Sequence, residues 1–370
     1  MPVEQTEPAR SRTRVVRALG RRVRVSATGA GAAEFCSCFE TAWDLLLDDD
    51  ASAIDDQVPV VVPDATEATV AARMASVESQ ITLAAVRGNV GAGLLFHAAA
   101  MTDASGSAIL LVGPSGAGKT TAVRHFGRHH GYLTDEIALV HGDALVLSYQ
   151  KPLSLVGAPM PTKVQRSAND LGLAPAPLHD SMVERVVVLD RRLDADKGAS
   201  VQRLGLTESV FALVPRLSSL TATPRPLVSL GRLVAHVGGV ERLTYRSIED
   251  LDPRAVPTSP PLGADALGFT RPLGSTPIAP VSSAPCRRLV RTVPQDAIET
   301  SDALIVACDS TVTALAGISP TLWHETATPR SMTEVLRAVR EVHGRHDRDE
   351  AITTSNVDEL VERGILRWLP

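Results

Sequence analysis

Five consecutive apolar residues, Ala108-Ile109-Leu110-Leu111-Val112, run directly into Gly113-Pro114-Ser115-Gly116-Ala117-Gly118-Lys119-Thr120, and this junction constrains the fold more than any other stretch of the chain. An unbroken apolar run of that length suits a strand buried on both faces, which needs neighbouring strands and a layer on each side. The glycines allow backbone N–H groups to converge on one point, and Thr121 to His129 reads as a helix whose positive dipole end faces the same point. Strand, glycine-rich loop and helix in this order make a phosphate-binding loop. Gly113, Gly116 and Gly118 give the close approach, and Pro114, Ser115, Ala117 and Thr121 complete the cradle. Lys119 adds a mobile cation for the β- and γ-phosphates, and the Thr120 hydroxyl can ligate Mg2+. The expected ligand is ATP or GTP with Mg2+.

At 370 residues and 44% hydrophobic content the chain is long enough for a large domain and a small one. Between Thr13 and about Gly93 the pattern is mixed: a strand at Val23 to Val25, an apolar helix-like stretch around Trp43 to Leu47, a strand at Val58 to Val62 and a helix from Glu67 to Val86. After the loop, Gly131 ends the helix, and Ile137 to Val140 with Ala144 to Leu147 form a hairpin around His141-Gly142-Asp143. Arg185 to Asp190 is a further buried strand, and Thr207 to Val214 and Pro226 to Val237 are helical by period. The fold class is therefore α/β. Eight prolines lie between Pro253 and Pro285, which predicts a semi-stiff extended linker that neither helix nor sheet crosses. Beyond it, Ala303 to Val306 and Val312 to Leu315 form a hairpin around Asp309-Ser310, Ser319-Pro320 starts a helix, and Ser331-Met332-Thr333-Glu334 is a capping box. A third helix runs from Ser355 or Asn356 to Arg363, and Ile365 to Trp368 closes the chain as a strand, an order that suits a small winged-helix-like α+β domain. The domain plan is an N-terminal α+β subdomain over 1–93, a loop-bearing core over 94–252, a linker over 253–285 and a C-terminal domain over 286–370.

A net charge of −5 argues against a surface built for nucleic acid phosphates. Arg10, Arg12, Arg14, Arg17, Arg21, Arg22 and Arg24 concentrate positive charge near the start and read as a flexible basic arm leading into a strand. A transit peptide would share those arginines, but Glu4, Glu7 and the lack of an amphipathic helix point away from one. No apolar run reaches the ~18 residues of a membrane span, so a cytoplasmic protein without a membrane partner is expected. Cys36, Cys38, Cys286 and Cys308 lack the partners of a zinc site and read as buried thiols.

Which acid would work with the loop is open between Asp190, at the end of an apolar strand, and the Asp135-Glu136 pair that follows the loop's helix. The segment His97-Ala98, then Ala108 to Thr121, then Gly131-Tyr132-Leu133-Thr134-Asp135-Glu136 resembles the catalytic core of the HPr kinase/phosphorylase family, which shares its nucleotide-site fold with phosphoenolpyruvate carboxykinase. The resemblance is strong over about residues 94 to 160 and loose to about 250. It implies a P-loop kinase core in which His97 lies close to the transferred phosphoryl, and Ser115, Lys119 and Thr120 take the loop positions. Asp135 would be the base that accepts the hydroxyl proton, and Glu136 would help hold Mg2+. By the same comparison Asp190 is a core strand residue, and the family implies oligomers. Glu136 stands where the family has Asp, and the family's downstream Arg-Gly-rich signature is missing, so neither phosphorylase activity nor HPr as substrate is implied. Without the resemblance, His97 reads as a satisfied histidine at a strand edge.

Ala303 to Trp368, with Ser319-Pro320-Thr321-Leu322-Trp323 and Val357 to Leu366, resembles the PqqD-like family of small peptide-binding domains. That family adds the leader segment of a ribosomally made peptide as a strand at a sheet edge. Trp323 reads as core. A DNA-binding winged helix is disfavoured because the candidate recognition helix carries Asp358, Glu359 and Glu362. Together the two resemblances imply a kinase that phosphorylates a hydroxyl, a Ser or Thr of a peptide or protein docked on the C-terminal domain during ribosomal peptide maturation. A nucleotide-binding switch with slow ATP hydrolysis and a small-molecule kinase are the alternatives.

Overall fold

The computed structural model describes residues 11–29, 31–48, 57–62, 68–156, 163–177, 179–195, 198–268, 271–273 and 287–369. The chain divides into two units, Met1–Arg203 with Arg216–Ser219 and Val240–Pro260, and Leu204–Pro215 with Leu220–Gly239 and Pro261–Pro370. Both mix helix with sheet, so the α/β reading holds.

In the first unit the alternation of β1 (Arg12–Ala18) and β2 (Arg21–Ala27) turns Val16, Ala18, Val23, Val25 and Ala27 inward. The two strands form an antiparallel hairpin, and β3 (Gln57–Val61) adds in parallel to β2. Helices α1 (Ala32–Ala42) and α2 (Val70–Gly88) share one apolar core with this sheet. The basic arm is thus corrected from Arg12 onward. Arg14 pairs with Glu40, and Arg17 and Arg22 both reach Asp48, so the arginines belong to a folded hairpin; Arg10 lies outside the described residues. The helix expected around Trp43 also lies earlier in the chain. Phe35, Phe39 and Trp43 stack at intervals of four along α1, with centroids 5.7 and 5.4 Å apart, and Trp43 caps its C-terminus.

The larger sheet of this unit has nine strands. They are β4 (Leu94–Thr102), β5 (Ala108–Val112), β6 (Gly131–Thr134), β7 (Ile137–His141), β8 (Leu145–Val146), β11 (Ser181–Arg191), β12 (Ala199–Arg203), β13 (Leu217–Ser218) and β14 (Glu241–Tyr245). A separate antiparallel pair joins β9 (Leu153–Val156) to β10 (Lys163–Arg166). The main order is β12-β14-β11-β5-β4-β7-β8, with β6 and β13 also on β4. β5 has the parallel β11 on one side and the antiparallel β4 on the other, and none of its residues is more than 2% exposed, as the apolar run demands. Helix α3 (Lys119–Phe126) packs Ala122, Val123 and Phe126 into the core beneath it.

The second unit contains α4 (Leu206–Leu213), α5 (Pro226–His236), α6 (Ala264–Leu267) and a four-stranded sheet ordered β15 (Arg271–Leu273), β17 (Asp296–Glu299), β18 (Leu304–Cys308), β19 (Thr311–Leu315). β16 (Arg288–Arg291) pairs with β20 (Leu366–Leu369), and α7 (Ser319–Glu325), α8 (Met332–His343) and α9 (Asp349–Glu362) complete the unit. Both bonds of the capping box at Ser331 and Glu334 are formed, Trp323 is core, and α9 begins six residues before Ser355. The core therefore does not extend unbroken to 252: α4 and α5 belong to the second unit. Fully buried Asp296 explains it, since its carboxylate accepts from Val228 N at 2.9 Å and from Arg225 Nε at 3.3 Å, capping α5 from a distant part of the chain. The proline-rich segment is corrected as well. Thr258 Oγ1 and Ser259 N donate to fully buried Glu241 at 2.5 and 2.9 Å, which ties the segment's start to the first unit. Further on it forms α6 and then β15, an edge strand where Pro272 lacks no needed N–H. Residues 274–286, Cys286 among them, lie outside the described residues. Cys36 and Cys308 are buried, whereas Cys38 is exposed, against expectation, because it lies on the outer side of α1. No helix among the described residues is long and apolar enough to cross a membrane.

Candidate functional site

β5 ends at the mouth of a cavity of about 630 Å3. The turn that follows uses backbone that only glycine adopts cheaply, with φ of +81° at Gly116 and +91° at Gly118. At Gly113 the constraint is space, since a Cβ there would sit 2.9 Å from the Cβ of Ala117. Gly118 is the N-cap of α3 and supplies no side-chain cap, so the first N–H groups of the helix stay available to an anion. From β14, Tyr245 donates its hydroxyl to the carbonyl of Ala117 at 2.6 Å and so braces the loop from behind. Burial pushes that phenol up to about 12, so it remains a donor at any working pH. Tyr245→Phe leaves a buried carbonyl unpaired and is expected to lower stability by about 1–3 kcal/mol, read from urea unfolding.

Lys119 folds back over the loop, its Nζ donating to the carbonyls of Gly113 at 2.9 Å and Pro114 at 3.2 Å. Burial and the nearby charge of Arg216 hold it below the ordinary lysine value. Thr120 Oγ1 donates to Asp135 Oδ2 at 3.1 Å. Asp135 and Glu136 occupy the step between β6 and β7, which pair in turn with the one strand β4, through Ala100↔Thr134 and then His97↔Ile137. This hand-over places His97, Asp135 and Glu136 around one cavity with Ser115, Gly116, Gly118, Lys119, Thr120 and Thr121. Gly113, Pro114 and Ala117 shape the loop without lining the cavity. Asp190 is not part of it: its carboxylate is held by Arg192 at 3.0 Å and Thr244 at 3.4 Å, so of the two acidic candidates only Asp135-Glu136 meets the loop.

His97 is half-buried, and burial together with the charge of Lys119 holds its ring below the usual imidazole range. Both effects favour the neutral ring. The folded state takes up this proton less readily than the unfolded chain, so its share of stability is intact above about pH 6.5 and is lost as pH falls through the folded pKa. An NMR titration of the ring is expected to give a midpoint below that of a free histidine. A midpoint at or above it would contradict the buried placement.

No protein-family model matches this chain, and none of the curated proteins matches it. Oxygen donors, the Thr120 hydroxyl and the carboxylates of Asp135 and Glu136, suit a hard divalent cation such as Mg2+, which binds through few protein oxygens and completes its shell with water and phosphate. Among the described residues there is no cluster of three His, Cys, Asp or Glu side chains able to hold a metal without such help.

Two residues that sequence reading missed complete the site. Lys151 is 1% exposed, and its Nζ lies 2.5 Å from Glu78 Oε1, 3.1 Å from Asp135 Oδ1 and 3.2 Å from Glu136 Oε2. Burial disfavours its charge, but Asp135, Glu78 and Glu136 overrule that and hold the ammonium well above the ordinary lysine value. Glu78 comes from α2 and is fastened by Ser154 Oγ at 2.6 Å and Gln165 Nε2 at 2.9 Å. The available signal was Glu78 itself, an acid on a helix that buries Met74, Val77, Ile81 and Ala85 together with Arg73. For Lys151 the sequence carried no signal beyond a lone charge between apolar stretches.

Proposed function

We propose that the protein is a kinase that transfers the γ-phosphoryl group of ATP, or GTP, to a hydroxyl, with a nucleotide site of the HPr kinase/phosphoenolpyruvate carboxykinase-like type. The observation that carries this reading is the meeting of Lys119, Thr120 and Asp135 at the mouth of a glycine-rich loop. Phosphoryl transfer asks a protein mainly for positioning and for charge on the moving oxygens, and this site offers both. The loop N–H groups and the start of α3 hold the β- and γ-phosphates. Lys119 exchanges its bonds to the loop carbonyls for the phosphate oxygens. Asp135 takes the proton of the acceptor hydroxyl as that oxygen bonds to the γ-phosphorus; the bond to the β–γ bridging oxygen breaks, and the nucleoside diphosphate leaves with the electron pair. Neutral His97, beside Lys119, hydrogen-bonds the transferring group without adding a charge. Thr120 and Glu136 would hold Mg2+, which would supply charge neutralisation.

The acceptor is proposed to be a Ser or Thr of a peptide bound by the second unit. The support is the resemblance of its hairpin, capped helix and closing strand to PqqD-like peptide-binding domains, together with β19, whose outer edge ends the four-stranded sheet. Docking there raises the local concentration of the acceptor. Incubation with Mg2+, γ-labelled ATP and candidate precursor peptides, followed by mass spectrometry, tests the reading. Label is expected on a peptide hydroxyl, reduced by excess of the same peptide with its Ser and Thr replaced by Ala. Label recovered only as free phosphate, at one rate with every peptide, would sink the peptide kinase and leave a nucleotide switch or a small-molecule acceptor.

A further inference from the structure

We infer that Lys151 is a positioning residue for phosphoryl transfer, holding Asp135 and Glu136 so that each keeps one oxygen turned away from the ammonium. The inference rests on the proposed kinase reading. Its starting point is an excess of partners. A buried ammonium needs one well-bonded carboxylate, and Glu78 at 2.5 Å already provides it, with the second Glu78 oxygen satisfied by Ser154 and Gln165. Lys151 nevertheless also takes Asp135 Oδ1 and Glu136 Oε2, the two acids at the mouth of the loop.

Three carboxylates crowd one ammonium, and the excess negative charge falls on the side of the cavity, where Glu136 is 41% exposed and Lys119 also faces both Asp135 and Glu136. A buried ammonium serving stability alone needs no such crowding of carboxylates, because like charges gathered at one site repel. A surplus that borders the cavity is what a divalent cation or the proton of an acceptor can use. The lysine also fixes geometry. With Oδ1 held by Lys151, the Asp135 carboxylate presents Oδ2, the oxygen bonded to Thr120, to the cavity, and the Tyr132 hydroxyl lies 3.4 Å from Oδ1. Tyr132 is itself held, since its hydroxyl donates to the Lys151 carbonyl at 2.8 Å. Through Glu78, the same ammonium ties α2, whose Thr82 and Leu83 form part of the cavity wall, to the two acids.

Removing Lys151 alone strands three carboxylates and can unfold the protein, so the test pairs the changes. Lys151→Met with Glu78→Gln removes one cation and one anion together, and Glu78→Gln alone is its reference. Relative to that reference the pair is expected to lose on the order of 10²-fold in kcat, the cost of a misplaced reacting group, with KM for the nucleotide changed less than about threefold. In an Asp135→Asn background the same pair should cost clearly less than in the original protein, because the lysine acts in part through that carboxylate and only its hold on Glu136 remains to be lost. An undiminished kcat with only a lower melting temperature, or losses that multiply in the Asp135→Asn background, would overturn the positioning role and leave the kinase reading standing. Absence of transfer by the unaltered protein would overturn both.

Discussion

Lys119→Ala is expected to reduce phosphoryl transfer by at least about 10²–10³-fold, the range for removing one preorganised charge-stabilising donor. Its neighbour Lys151 is not free to replace it. Lys151 is fully engaged by three carboxylates, and Lys119 alone reaches both Gly113 and Pro114 at the start of the loop. Nucleotide affinity should fall too, since the ammonium serves the bound phosphates as well as the transition state. Fold stability is expected to change less, because burial disfavours this charge in the free protein, which offsets the bonds lost to the buried Gly113 and exposed Pro114 carbonyls. Single-turnover transfer, nucleotide titration and thermal melting on one preparation separate these effects. A variant that melts normally and still transfers at near the original rate would remove Lys119 from the mechanism.

Asp135→Asn is expected to cost about 10²–10⁴-fold in transfer, as for loss of a general base, while nucleotide binding stays within a few fold. The amide is nearly isosteric, its oxygen can still accept from Thr120, and Lys151 keeps Glu78 and Glu136 as partners. Binding without transfer is the signature of a base. The same variant separates the kinase from a nucleotide switch that hydrolyses slowly, because a switch that needs no acceptor base would lose little. Asp190→Asn is the matched control, expected to leave transfer near the original rate, because that carboxylate faces Arg192 and Thr244.

Much of this protein was legible before its structure because much of it is local. The loop needs only a buried strand, three glycines at the right spacing and a helix start, all within Ala108 to Phe126, and each follows from the conformational freedom of glycine and the burial of an apolar run. The capping box at Ser331 and the hairpins at His141 and Asp309 are equally short-range, and they formed as expected. Tertiary structure alone decided the rest. Spacing could not tell which of Asp135 and Asp190 lies beside the loop, because both stand at apolar strands; β4, handing its pairing from β6 to β7, places Asp135 there. Lys151 meets Glu78 across 73 residues, and Asp296 caps α5 across 68, partnerships that leave no periodic trace along the chain. Local order is written in residue types and their spacing, whereas a buried charge acquires its meaning only from the groups that folding brings to it.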